Sequence, residues 1–229
     1  MNLIDLLKKQ EQLREDYWKN VDYFLPIRLK WRAQMVRHFF HLFPENSLLE
    51  VGAGSCQWAR EISAANGNRN PICAAVLDKE LYEENNPFPE NIERIYLEEF
   101  PGKLSEGLFD FIVAYQLLTD ENAGVLLSEL KKLLKPGGQI LLFDPNPWNP
   151  CYRVRRFVSK IFLFFKQAEK NESLNRIDLF ALLSEAGYIK IKILPYDFLF
   201  PPLPKILLWP MQNLSLILEN FPYVRNFAG

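Results

Sequence analysis

The sequence predicts an α/β protein, a three-layer α/β/α sandwich around a mostly parallel sheet. Three observations carry this. Short apolar runs at Ser47–Val51, Pro71–Leu77, Ile92–Leu97, Phe109–Tyr115 and Gln139–Phe143 alternate with helical or loop stretches. Several are apolar on both faces, which suits parallel strands covered by helices on either side. The first run also leads into a glycine turn and the second ends at an acid, the layout of an open sheet that takes its ligand at the carboxyl ends of its strands.

Composition bounds the rest. The chain has 229 residues, 48% apolar and 24% charged, which is ordinary globular usage and excludes disorder, collagen and coiled coil as the main class. A length of this size fits a single domain. We read it as N-terminal helices over 1–45, a ligand-binding core over 46–144 and a substrate-side region over 145–229. Against 27 Lys+Arg stand 28 Asp+Glu, a formal net charge of −1. A general nucleic-acid binder carries a basic field, so no nucleic-acid partner is expected. The 3 cysteines, Cys56, Cys73 and Cys151, are far apart and odd in number. That disfavours a disulfide scaffold or a metal site and fits a reducing, cytoplasmic location. Met1–Asn20 is too charged for a secretory apolar region. Neither Ile161–Phe165 nor Leu203–Leu218 is long and apolar enough to span a bilayer.

The elements follow in order. Residues 2–14 are helical by composition, Asp16–Leu25 is aromatic, and Pro26 breaks the pattern. Ile27–Leu42 resumes a helical period, with Leu29, Trp31, Met35, Phe39 and Phe40 on a broad stripe, and Pro44–Glu45–Asn46 closes it. Ser47–Val51 is the first strand, Gln57–Ala64 the next helix and Asn66–Asn70 a loop. Strands over Pro71–Leu77, Ile92–Leu97 and Phe109–Tyr115 follow. Asn122–Leu134 is a helix stopped by Pro136–Gly137–Gly138, and Gln139–Phe143 is the fifth strand. Beyond Asp144, Cys151–Lys166 reads as a helix. Ser173 is placed to cap a helix over Leu174–Ala186 that Gly187 ends. Tyr188–Leu194 alternates as a sixth strand.

The sharpest motif is Leu48–Leu49–Glu50–Val51–Gly52–Ala53–Gly54–Ser55–Cys56. Glycines at a strand-to-helix turn let the backbone approach a ligand closely. Asp78, at the end of the next strand, is placed to hold ribose hydroxyls. A dinucleotide fingerprint would need a third glycine at position 57, where the chain has Gln57.

These residues resemble the first motif of class I S-adenosylmethionine-dependent methyltransferases: an acid (Glu50), then Gly52 and Gly54, with Cys56 where the family's last glycine stands. Leu133–Leu134–Lys135–Pro136–Gly137–Gly138 is similar to the turn before that family's fifth strand. The resemblance covers about residues 45–195. It implies a Rossmann-like sheet of order 3-2-1-4-5-7-6 and S-adenosylmethionine as cofactor. Glu50 and the glycine turn would enclose its amino-acid part and Asp78 its ribose. Glu99 and Phe100 would lie near adenine, with Tyr115 and Gln116 beneath the cofactor. No clear seventh strand is left, so that strand is expected to be short, drawn from Phe198–Phe200 or the last residues, or absent. An absent strand would leave an edge for a partner, a homodimer contact among the candidates.

The implied activity is methyl transfer, with oxygen as the expected acceptor atom. Asp144 and Tyr115 are the candidates to assist it. The loop Asp144–Pro145–Asn146–Pro147–Trp148–Asn149–Pro150 resembles a Pro-Asn-Pro loop of methyltransferases acting around lipids, quinones or glycans. That favours a small, partly apolar, lipid- or glycan-linked acceptor. Arg153, Arg155 and Arg156 either hold a phosphate or carboxylate or form a solvated helix face. His38 and His41 read as ordinary side chains more readily than as acid–base groups. Tyr196–Trp209 is a candidate cap over the site, a peripheral membrane contact, or satellite core. Three other readings stay open: a nicotinamide-dependent oxidoreductase, which would need the third glycine and a catalytic Tyr/Lys or His arrangement, an inactive methyltransferase-like binding protein, and a methyltransferase of RNA or protein.

Overall fold

The computed structural model describes residues 2–20, 24–84, 87–147 and 174–194, with 210, 213–214, 217–218 and 221. Helix α1 (Leu3–Asn20) and helix α2 (Leu25–Phe40) precede β1 (Leu48–Val51), α3 (Gln57–Ala65), β2 (Ile72–Val76) and the short α4 (Lys79–Glu83). Then come β3 (Ile92–Tyr96), β4 (Phe109–Tyr115), α5 (Ala123–Leu133), β5 (Leu134–Phe143) and α6 (Arg176–Glu185). The five strands form one sheet of order β3-β2-β1-β4-β5, and every pairing is parallel. Its centre, β1, is buried along its whole length.

Two apolar layers sandwich this sheet. On one face Leu49, Val51 and Ile112 pack with Leu126, Leu127 and Leu130 of α5 and Leu183 of α6. On the other, Leu48, Ala74 and Val113 pack with Leu29 and Val36 of α2 and Trp58 and Ile62 of α3. Alternate residues of one strand therefore serve opposite layers, as the run of apolar residues requires.

Several boundaries differ from the expectation. The first helix runs on to Asn20, and Pro26 lies in the first turn of α2. Proline is tolerated there because the amide it lacks has no intrahelical partner. The buried stripe of α2 is Leu25, Leu29, Ala33, Val36 and Phe40, while Trp31, Met35 and Phe39 are half-buried. That stripe follows strict three- and four-residue steps, which the run of aromatics masked. The cap of α6 is Asn175, whose side chain accepts from the Ile177 and Asp178 amides at 2.9 and 2.9 Å. The Pro136–Gly137–Gly138 turn is an irregularity inside β5, where the register against β4 shifts between Phe109 and Phe111.

The expected sixth strand at Tyr188–Leu194 does not form. Lys190 adopts a left-handed φ of 57°, which interrupts an extended chain, and Ile189 stands 80% exposed. The expectations for Trp148, Cys151–Lys166, Tyr196–Trp209 and a seventh strand lie outside the described residues.

Candidate functional site

The carboxyl ends of β1, β2 and β4 converge, and β5 runs out beside them into Asp144. The turn after β1 has left-handed residues at Gly52 (φ +64°), Gly54 (φ +52°) and Cys56 (φ 55°). Cys56 thus keeps a glycine-like backbone at the position of the missing glycine. Its side chain is fully buried, and burial pushes the thiol up to about 12. It is an inert thiol. A Cβ on Gly52 would meet Leu117 Cδ1 at 2.7 Å. One on Gly54 would meet Glu15 Oε1, and an Arg14 nitrogen at 2.8 Å.

Glu50 is buried beside this turn and accepts from the Ala59 amide. Its second oxygen, Oε2, has no hydrogen-bond partner among the described residues. Burial raises its pKa to about 8, opposed chiefly by Arg14. Asp78 caps α4, its Oδ1 accepting from the Glu80 and Leu81 amides at 2.8 and 3.1 Å. The other oxygen, Oδ2, takes the side-chain amide of Gln12.

Helix α1 lies across these strand ends, a placement its charged sequence does not announce. The Glu11 carboxylate is wholly buried and accepts from the amides of Gly54 (2.9 Å), Leu77 (3.0 Å) and Asp78 (2.6 Å). Burial raises its pKa to about 7 against the pull of Arg14 and these amides. Arg14 donates to the Tyr115 carbonyl at 3.1 Å and to Glu15 at 2.9 Å, and stacks over the Trp18 ring at 4.5 Å. The signal was in the sequence: Glu11, Arg14, Glu15 and Trp18 recur at helical spacing on one face. A charged face of that kind ordinarily meets water.

At the β4 and β5 ends, Tyr115 is 1% exposed. Trp18 and Trp58 meet it edge-on at 5.1 and 5.5 Å, and Phe143 stacks at 6.2 Å. Arg32 of α2, which the sequence did not single out, lies over Tyr115 at 4.4 Å and Phe143 at 5.3 Å. Gln116 has a left-handed φ of 52°, and its amide donates to the Phe143 carbonyl at 2.7 Å. Asp144 is half-buried and accepts from the Leu118 amide at 3.3 Å. Burial raises its pKa to about 7, with Leu118 and then Arg32 opposing.

The structure thus gathers Glu50, Gly52, Gly54, Asp78, Tyr115, Gln116 and Asp144 at one edge of the sheet. Glu99 is exposed in the bend after β3, and Phe100 packs half-buried against the first apolar layer. His38 and His41 are exposed near the end of α2, 6.3 Å ring to ring. Arg153, Arg155 and Arg156 lie outside the described residues. Among the described residues no helix is long and apolar enough to cross a membrane.

The site residues suit a nucleoside with an amino-acid tail. Two glycines remove side chains where the turn is crowded, Glu50 keeps an orphaned oxygen, and Asp78 ends the adjacent strand. Comparison with known proteins finds methyltransferases of similar fold. No family model matches the chain. A curated demethylmenaquinone methyltransferase of Staphylococcus haemolyticus is 25% identical over 183 residues, covering 71% of this chain and 76% of the relative. The Staphylococcus aureus (strain JH9) protein of the same name is 24% identical over 165 residues, covering 63% and 68%. Among solved structures, a SAM-dependent methyltransferase from Aquifex aeolicus superimposes with a TM-score of 0.55 at 20% identity, covering 80% of this chain and 91% of that one. Another, from Thermotoga maritima, gives 0.56 at 18% identity, covering 86% and 88%.

Proposed function

We propose that this chain, a SAM-dependent methyltransferase with the class I fold, methylates a small, partly apolar acceptor, with oxygen as the expected acceptor atom. One observation carries the reading: the glycine turn, Asp78, the β4 exit and Asp144 share one edge of the sheet, so cofactor and acceptor groups can meet there. Glu50, Gly52 and Gly54 hold the amino-acid part of the cofactor, and Asp78 its ribose. Tyr115 and Gln116 form the floor, and Phe100 lies on the adenine side. Glu99 faces solvent, so it reaches adenine only if its side chain folds back.

When bound, S-adenosylmethionine would supply an electrophilic methyl carbon, to which an acceptor lone pair would bond as the S–C bond breaks and its electrons stay on the departing thioether sulfur. The chain supplies alignment, a water-poor cleft and a place for the acceptor's proton. Asp144, with its pKa near 7, suits that last task. Arg32 beside it favours its ionised form and can receive an anionic oxygen in the acceptor. The curated relatives act, by their name, on demethylmenaquinone, a small molecule rather than an RNA or a protein. The net charge of −1 points the same way.

A second reading, a binding protein that has lost catalysis, is favoured by one observation: Glu11 and Gln12 of α1 occupy hydrogen-bonding places assigned to the cofactor. Calorimetry with S-adenosylmethionine on the full chain, followed by mass-detected methyl transfer to cell-extract fractions, tests both. Binding that Asp78→Ala weakens, with transfer to a small molecule, is the expected result. Binding of NAD without S-adenosylmethionine overturns the proposal, and binding without any transfer favours the second reading.

A further inference from the structure

A buried carboxylate of α1 is held by backbone amides at the strand ends. Glu11 draws three backbone amides, one from the turn after β1 and two from the end of β2. Those two exits are where the cofactor reading places the amino-acid part and the ribose. The next residue, Gln12, takes Asp78 Oδ2. Glu15 and Arg14 fill the space that the absent side chain of Gly54 leaves open. Glu11 is 0%, Arg14 2% and Glu15 2% exposed, so the helix is sealed against the turn.

We propose that α1 is a displaceable occupant of the cofactor cleft: Glu11 and Gln12 hold, in the free protein, the amides and the Asp78 carboxylate that the cofactor takes over, so cofactor entry unseats this part of the helix. The proposal rests on the cofactor reading above and adds a competitor within the same chain. Four features support displacement rather than a permanent wall. One carboxylate saturates donors from two strand exits, leaving those donors no capacity for a ligand. The acid of the β2 end is bonded to a helix side chain through the oxygen that does not cap α4. The buried group is an acid whose desolvation opposes its charge, so the seat is costly to hold. And Glu11, Glu15 and Glu50 crowd around Arg14, the cation common to this cluster.

The physical consequence is a reduced apparent affinity. If the free protein is mostly in the seated state, the measured dissociation constant is the intrinsic one divided by the unseated fraction. Removing the competing side chains raises that fraction without adding any contact to the ligand.

The experiment uses the full chain and S-adenosylhomocysteine, the stable demethylated cofactor, as probe. Calorimetry compares the natural protein with the Glu11→Ala/Gln12→Ala double variant. Hydrogen exchange follows the α1 amides of the natural protein with and without the probe. The expected result is tighter binding by the variant, by roughly tenfold or more, as the loss of charge-assisted contacts implies. In the natural protein, probe binding speeds exchange along Glu11–Trp18. Binding by the variant alone supports the proposal equally. Weaker binding by the variant, or slower exchange of α1 on binding, overturns it and makes Glu11 a ligand of the cofactor. Should the variant fail to fold, the exchange measurement on the natural protein decides. If neither protein binds at millimolar probe, the cofactor reading itself falls, and this proposal with it.

Discussion

At the residue scale, the decisive quantity is where each buried acid sits relative to a cation or an amide. Asp144 is raised to about 7 by desolvation, while Leu118 and Arg32 pull the other way. A group acting as a base must be ionised, so the rate should rise with pH through about 7 and then level off. Asp144→Asn should remove that limb and lower kcat by about 10²–10⁴-fold, with little change in cofactor binding. A pH–rate profile of both proteins with an identified acceptor checks this; an unchanged limb in the variant would assign the base elsewhere. Tyr115 shows the other side of the same argument. Its position at a strand exit made it a candidate for the chemistry. The structure packs its ring, 1% exposed, among Trp18, Trp58, Phe143 and Arg32, the setting of a core aromatic. No sequence pattern distinguishes those two uses of a tyrosine, because both need an apolar strand ending in one.

At the element scale, the strands were legible and the role of α1 was not. β4 was placed residue for residue, and β1, β2, β3 and α3 to within two residues at each end, because runs such as Phe111–Ala114 are apolar between polar turns. The glycine turn was legible for a local reason: its backbone needs φ values that few other residues adopt. Helix α1 failed that test since Glu11, Arg14 and Glu15 read as a wet face, and only the tertiary fold supplies the amides that bury them. Tyr188–Leu194 failed for the opposite reason. Its alternation is strand-like, but a left-handed Lys190 breaks the run. The contact between α1 and the glycine turn can be weighed against an uncrowded glycine. Gly54→Ala introduces a strained φ and a Cβ against the buried Glu15 and Arg14 tips, whereas Gly137 (φ +83°) has nothing within 4 Å. Ala at 137 should cost roughly 1–2 kcal/mol from the backbone alone. Ala at 54 should cost clearly more, because α1 must shift as well. Equilibrium urea unfolding of both variants measures the difference, and equal losses would mean that the Glu15 and Arg14 side chains move aside freely.

For the whole molecule, acids whose ionisation is opposed by desolvation give stability a definite pH dependence. Glu11, Glu50 and Asp144 are raised to about 7, 8 and 7, in each case with burial as the largest cause. A carboxyl raised above its unfolded value binds its proton more tightly in the folded chain. Its contribution is therefore fully present below the unfolded value and is lost as pH climbs through the folded one. All three lose in the same direction, between about pH 5 and pH 8. Asp110 runs the other way: Lys135 at 2.8 Å and the Ser47 amide and hydroxyl hold it below its ordinary value of 3.8, so its contribution disappears only in acid. The two trends place the greatest stability near the ordinary carboxyl values, at about pH 4 to 5, with a steady loss toward neutrality. Urea midpoints should fall from pH 5.5 to pH 8.5, and Glu50→Gln should flatten that fall by keeping position 50 uncharged throughout. A midpoint that rises over this interval would mean that the cleft holds its carboxylates ionised, with Arg14 and the strand-end amides outweighing their burial.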